Sequence, residues 1–351
     1  MINQSHYYLG IFSLIVFGLI MFVWKIKLHS MFSNIDYTGV QKIHSGSTPR
    51  LGGLGIFLCM TAWLTVTNNP PELLGPVILA ASPFFIISLV EDLTHNTSVL
   101  MRFSAIIISS LLAVIFVLND LPHIDIPFLQ NYINTPPVKP LLFILSIAAL
   151  TNGMNVIDGS NGMVGSVFVT SMITLVLVCI QIGELNAAQF IIGTSVIVLV
   201  FLIFNYPLGV IFLGDSGAYL LGFISAVIVI DIYSRHPEIP TWGAFLLIFY
   251  PVTEIIFSFF RKIIQNKSPF YPDSKHLHLM VFRLIHKRTG LNLFSNCMVM
   301  PALAIIWLTP PVLYYYSYNN IVFTTRAIAL SLLLYLLIFW VLITVNRRCK
   351  V

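Results

Sequence analysis

The chain has 351 residues, of which 58% are hydrophobic and only 9% charged, with a formal net charge of +5. A soluble globular chain carries roughly 25% charged residues, so this composition excludes an ordinary water-soluble core and calls for a bilayer. The small net charge says little by itself about nucleic acid, and no nucleic-acid partner is expected.

The apolar stretches run continuously for about 16–22 residues and do not alternate with period two, so they read as helices rather than barrel strands. Eleven candidate spans follow in chain order, at about 7–25, 51–67, 76–90, 103–118, 140–156, 163–182, 188–205, 217–232, 241–260, 293–316 and 324–345. The first lacks a basic leading segment and a small-residue cleavage site, so it reads as a permanent helix and not a signal peptide. The fifth is short and polar at its end. Prolines at Pro70-Pro71, Pro136-Pro137 and Pro237 punctuate connections. The expectation is an all-α polytopic membrane protein in which one domain, 1–351, uses the whole chain. Cys59, Cys179, Cys297 and Cys349 are scattered, with neither a disulfide framework nor ligand spacing.

Alternating the spans across the bilayer divides the 18 Lys and Arg residues unequally: only Lys139, Arg235 and Arg326 fall in one set of loops. The basic set is cytoplasmic by the positive-inside rule. The N-terminus is then outside and the C-terminus inside.

Five polar islands fall at cytoplasmic helix ends in this layout. They are Lys42-Ile43-His44 through Pro49-Arg50-Leu51-Gly52-Gly53; Glu91-Asp92 with Ser98 and Arg102; Thr151-Asn152-Gly153-Met154-Asn155 through Asp158-Gly159-Ser160-Asn161-Gly162; Asn205-Tyr206-Pro207 through Phe212-Leu213-Gly214-Asp215-Ser216-Gly217; and Pro272-Asp273-Ser274-Lys275-His276-Leu277-His278. Bringing Glu91, Asp92, Asp158 and Asp215 together is unfavourable unless a cation compensates. Carboxylate oxygens of this kind suit Mg²⁺ or Mn²⁺. Lys42, Arg102, His276 and His278 supply the opposite sign and suit phosphate. Acids, a hard metal and basic groups are the parts of a phosphoryl-transfer site. Taken singly, each island also has a plain reading: a solvated cap, an Asp-Gly turn, surface histidines, a positive-inside lysine. Five of them on one face argue for a shared site. Glu254, about six residues inside the ninth span, stands apart as an intramembrane acid; a structural hydrogen bond to a neighbouring helix is its alternative.

In this order the islands resemble the polyprenyl-phosphate N-acetylhexosamine-1-phosphate transferases, over about Asp36 to Arg283. The segment from Asn152 to Gly162 and the run Phe212-Leu213-Gly214-Asp215-Ser216-Gly217 are the most specific parts. The resemblance implies Asp92, Glu91 and Asp158 as catalytic residues, with Glu91 standing where the family carries the first of two aspartates. It implies Asp215 and Asn155 as magnesium ligands. It implies substrate binding by Lys42, Arg102, Asn152, Asn161, Asn205, His276 and His278, with Asn161 at the uracil. Gln41 and Leu279 depart from the family pattern on either side, and Glu254 falls where related sequences carry an acid. The implied reaction takes a UDP-N-acetylhexosamine and undecaprenyl phosphate to an undecaprenyl-diphosphate sugar and UMP. The implied setting is the cytoplasmic face of a bacterial inner membrane, at the start of a lipid-linked surface polysaccharide such as O-antigen. The sequence leaves a homodimer open. A multi-pass transporter is the alternative class, although transporters concentrate polar groups near the midplane and in repeats.

The layout makes a direct prediction. A reporter fused after Arg348 reads cytoplasmic, and one inserted between Asn119 and Thr135 reads external. The same side for both overturns the arrangement.

Overall fold

A computed structural model describes residues 4–28, 48–124, 126, 128–266 and 275–348, and every regular element among them is helical. The principal helices are α1 (Gln4–Val23), α2 (Gly52–Val66), α3 (Leu74–Thr94), α4 (Val99–Phe116), α5 (Val138–Ile157), α6 (Met163–Ile182), α7 (Leu185–Asn205) and α8 (Gly214–Arg235). There follow α9 (Gly243–Leu247), α10 (Phe249–Ile264), α11 (Leu277–Thr289), α12 (Asn292–Ala302), α13 (Ala304–Trp307), α14 (Thr309–Ser317) and α15 (Ile321–Arg348). Among the described residues, nine helical segments are long and apolar enough to cross a membrane. Their outer faces carry Leu79, Ile86, Phe116, Ile203 and Trp340, all largely exposed, as lipid-facing groups are. The protein is a multi-pass membrane protein.

The count differs from eleven for local reasons. The second span is helical but only 15 residues long. The ninth is broken at Ile248 into α9 and α10. The tenth survives as the stacked pieces α12–α14, which Pro301 and the Pro310-Pro311 pair interrupt. The polar-ended fifth span is a full 20-residue helix.

At the centre stands α8, buried from Gly214 to Tyr233 and packed against α2, α3, α5 and α6. Small residues let neighbours approach it closely, as in other membrane bundles. A Cβ on Gly222 would lie 2.8 Å from the Thr151 Cα of α5. Serine and threonine hydroxyls inside the bundle donate to carbonyls one turn back, as Ser88 does to Phe84 and Ser225 to Leu221, so these hydroxyls are satisfied within their own helices.

At one end of α8 the segment before α2 pairs with the segment before α8. Phe212 N donates to Pro49 O (2.9 Å), Gly52 N to Phe212 O (2.9 Å) and Gly53 N to Leu213 O (2.8 Å). A Cβ on Gly53 would sit 2.2 Å from Gly217 N. Gly53→Ala therefore forces backbone apart, and we expect a loss of about 1–3 kcal/mol, the usual range for overpacking, read as a lowered Tm in detergent. Gly75→Ala is the control, because its Cβ would meet nothing closer than Leu64 Cδ1 at 3.6 Å.

Candidate active site

The pairing just described brings the start of α8 against the last turn of α3. Asp92, whose side chain is 0% exposed, accepts hydrogen bonds from Asp215 N (2.8 Å), Ser216 N (2.9 Å) and Ser216 Oγ (2.6 Å). It thus caps a helix belonging to another part of the chain, where unpaired N–H groups and the helix dipole favour an anion. Gly214 makes room: its φ is +78°, and a Cβ there would lie 2.5 Å from Asp92 Oδ2.

Asp215 is then turned toward three donors. Arg102 Nη1 reaches Asp215 Oδ2 at 2.6 Å, while Asn155 Nδ2 and Arg50 Nη2 reach Oδ1 at 3.1 and 3.3 Å. Arg50 Nε also lies 3.7 Å from Asp92 Oδ1. Burial opposes the charge of Arg50, but Asp215, Asp92, Asp158 and Glu91 together raise its pKa. Glu91 sits at the edge. Its Oε2 accepts from Thr97 N and Oγ1 (2.9 and 2.7 Å), and its Oε1 lies 3.9 Å from Arg102 Nη1. Ser98 caps α4, which carries Arg102.

Asp158 follows the end of α5, where its backbone N donates to Asn155 O (3.1 Å), and its carboxyl makes no hydrogen bond to a described residue. Burial pushes its carboxyl up to about 7, against the pull of Arg50 and with the added push of Asp215 and Asp92. On the next residue, a Cβ on Gly159 would lie 2.3 Å from the His278 ring. That ring stacks on His276 with centroids 5.7 Å apart and planes 3° apart. Burial, then His276 and Arg283, depress His278 to about 3, so its imidazole is neutral.

The remaining polar residues hold loops. Asn161 donates through Nδ2 to Pro207 O (2.9 Å), and its backbone N donates to Asn296 Oδ1 (2.7 Å). Asn205 accepts from Gly162 N (2.6 Å) and donates to Ile211 O (2.8 Å). Asn152 donates to Ala148 O on its own helix. Lys42 lies outside the described residues. Sequence reading gave Arg50, Ser216 and Asn296 no role. Only the glycine pair after Arg50 signalled that its segment meets another backbone closely.

A family model for glycosyl transferase family 4 matches residues 74–233, which span α3 to α8 and most of this cluster. An undecaprenyl-phosphate alpha-N-acetylglucosaminyl 1-phosphate transferase of Thermotoga maritima is 30% identical over 254 residues, covering 72% of this chain and 74% of its own. The chain belongs to glycosyl transferase family 4. A probable undecaprenyl-phosphate N-acetylglucosaminyl 1-phosphate transferase of Bacillus subtilis is 25% identical over 78% of this chain and 79% of its own. An Escherichia coli K12 protein with the Thermotoga protein's name is 22% identical over 77% and 75%.

In this family 4 protein the described cluster sets four carboxylates, Glu91, Asp92, Asp158 and Asp215, against two guanidiniums. The donors are oxygens. Among the described residues no three His, Cys, Asp or Glu side chains form a ready metal cage. Asp215 and Asn155 remain as a pair of adjacent oxygen-bearing groups.

Asp158 yields a pH prediction. Unfolded, its carboxyl titrates near 4; folded, at about 7. Between those values the folded state holds a proton that the unfolded state has released, so rising pH removes stability. Asp158→Asn abolishes this contribution. In metal-free detergent the variant matches wild-type Tm below about pH 4, exceeds it increasingly up to about pH 7, and keeps that margin at higher pH.

Proposed function

We propose that this protein transfers an N-acetylhexosamine 1-phosphate, N-acetylglucosamine first among candidates, from a UDP-sugar to undecaprenyl phosphate. UMP is released, at the cytoplasmic face of a bacterial plasma membrane. The observation that carries this reading is the convergence of four acids and two arginines at one end of a largely apolar bundle. The relatives' names support the acceptor and the sugar. Polar groups gathered at helix ends, rather than at midplane, favour a transferase over a transporter.

The excess of carboxylates and the oxygen-only donor set fit a hard divalent cation, Mg²⁺ or Mn²⁺. Such ions bind through one or two protein oxygens and complete their shell with substrate phosphate and water. Asp215 and Asn155 would hold it. Bound there, the ion would supply positive charge against that developing on the departing UMP. The residues do the rest. An oxygen of the lipid phosphate attacks the phosphorus that bears the sugar, and the bond from that phosphorus to the UMP oxygen breaks. Arg102 and Arg50, already held at Asp215, present planar donors suited to phosphate oxygens. Asp92 has both oxygens engaged by the start of α8, so its part is to position Asp215 and the phosphate beside it. Asp158, whose carboxyl has no hydrogen-bond partner among the described residues and a pKa of about 7, is the group suited to take the lipid phosphate's remaining proton. The neutral His278 and its neighbour His276 face the donor side, beside Gly159. The product would begin a lipid-linked surface polysaccharide.

The test is transfer of label from a UDP-sugar into butanol-extractable lipid by purified protein, wild type beside Asp215→Asn. Wild type transfers in a Mg²⁺-dependent way. The variant loses transfer by about 10²-fold or more, as groups aimed at developing charge commonly contribute, and elutes normally on gel filtration. Near-normal transfer by the variant, with an unchanged Mg²⁺ requirement, refutes the ligand role.

A further inference from the structure

Glu254 is an acid in the interior of a membrane protein, 1% exposed, and the reaction above does not use it. A carboxylate so placed is costly unless every lone pair direction is answered. Both of its oxygens are answered from across the chain. Oε1 accepts from Leu277 N at 3.0 Å, and Oε2 pairs with His276 Nδ1 at 2.9 Å. Leu277 is the first residue of α11, and His276, its N-cap residue, makes no side-chain capping bond of its own. Glu254 of α10 therefore caps α11, which bears the histidines.

The second bond does something a cap alone does not. A carboxylate only accepts, so Nδ1 of His276 must carry a proton. In the neutral ring this leaves Nε2 as the open acceptor. An acid that fixes the tautomer of a working histidine is a familiar arrangement in metal and triad sites. The orientation passes onward, because the His276 ring lies flat on that of His278, which in turn abuts Gly159 beside Asp158.

We infer that Glu254 is a positioning residue for the sugar-nucleotide side of the site: it sets the tautomer of His276 and pins the start of α11, so that the two stacked imidazoles meet the donor in a fixed pose. This rests on the transferase reading for the word donor, but the clasp itself does not.

The isosteric Glu254→Gln separates the two duties. Its carbonyl can still accept from Leu277 N, while its amide N–H₂ then faces Nδ1 and drives the proton to Nε2, the opposite tautomer. We expect the KM for the UDP-sugar to rise about tenfold, with that for undecaprenyl phosphate within about twofold, because an interaction with one substrate is lost. Glu254→Asp, which restores an acceptor on a shorter arm, recovers part of the loss. The double variant Glu254→Gln/His276→Ala is no worse than His276→Ala, since one residue acts through the other. Glu254→Gln with a wild-type KM for the UDP-sugar, or additive losses in the double variant, overturns the inference. If wild type turns over no UDP-sugar, the transferase reading fails. Hydrogen exchange then decides the clasp alone: amides of residues 277–281 exchange faster in Glu254→Ala when it holds them, and unchanged exchange overturns it.

Discussion

Asp92 joins the last turn of α3 to the first turn of α8, and the site depends on that bond set. Three donors within 2.9 Å at the positive end of a buried helix answer the carboxylate oxygens inside the protein. Two consequences follow. Residue 214 must be glycine, because a side chain there would occupy the space of the carboxylate itself. Residue 215, next along, has its N–H tied to Asp92 and its side chain delivered to Arg102, Arg50 and Asn155, which come from three other segments. One buried acid thus orders a second one that remains partly accessible.

The other end of α8 uses charge differently. Arg235 pairs with Glu184 and with Asp231, and His236 lies between Glu184 and Glu238. Burial works against charge on His236, yet the bonds to Glu238 and Glu184 raise its pKa. These ions join the turn between α6 and α7 to the end of α8 and largely satisfy one another. At the Asp92 end, by contrast, the Asp158 carboxyl accepts no hydrogen bond from a described residue and the Asp215 carboxyl is 12% exposed. A network whose members all pair joins elements, whereas one with an unpaired carboxyl has capacity left for a cation. The asymmetry between the two ends of one helix separates anchoring from chemistry.

The helical class was legible because uninterrupted apolar length leaves a membrane chain few other solutions. Ends were less so. The fifth span looks short because polar residues begin at Thr151, yet Thr151 and Asn152 bond back to the carbonyls of Ile147 and Ala148 and the helix runs on to Ile157. The break at Ile248 has no comparable signature. Asp92, Arg102, Asn155 and Asp215 were legible as members of one cluster because they sit in separate polar islands at like-directed helix ends. Arg50 was not. Alone it is a loop charge, and its place follows from backbone pairing between residues 49–53 and 212–213. Asn161 and Asn205 were legible as polar outliers, but their partners stand 135 and 43 residues away along the chain, beyond any local pattern.

The two aspartates that end α3 and α5 show how environment divides labour between identical side chains. Asp92 has both oxygens bound by N–H and O–H donors at the start of α8, which fix its orientation. Asp158 has no such donors, and desolvation lifts it to about 7. A phosphate monoester loses its second proton near 6, so most acceptor molecules at neutral pH need no base, and a base matched to the remainder needs a pKa close to that of Asp158. The larger demand is then to hold two anionic phosphates within reach of each other. In the proposed transfer the arginines at Asp215 would meet that demand, and Asp92, whose oxygens hold Asp215 N, orders the carboxylate they bind.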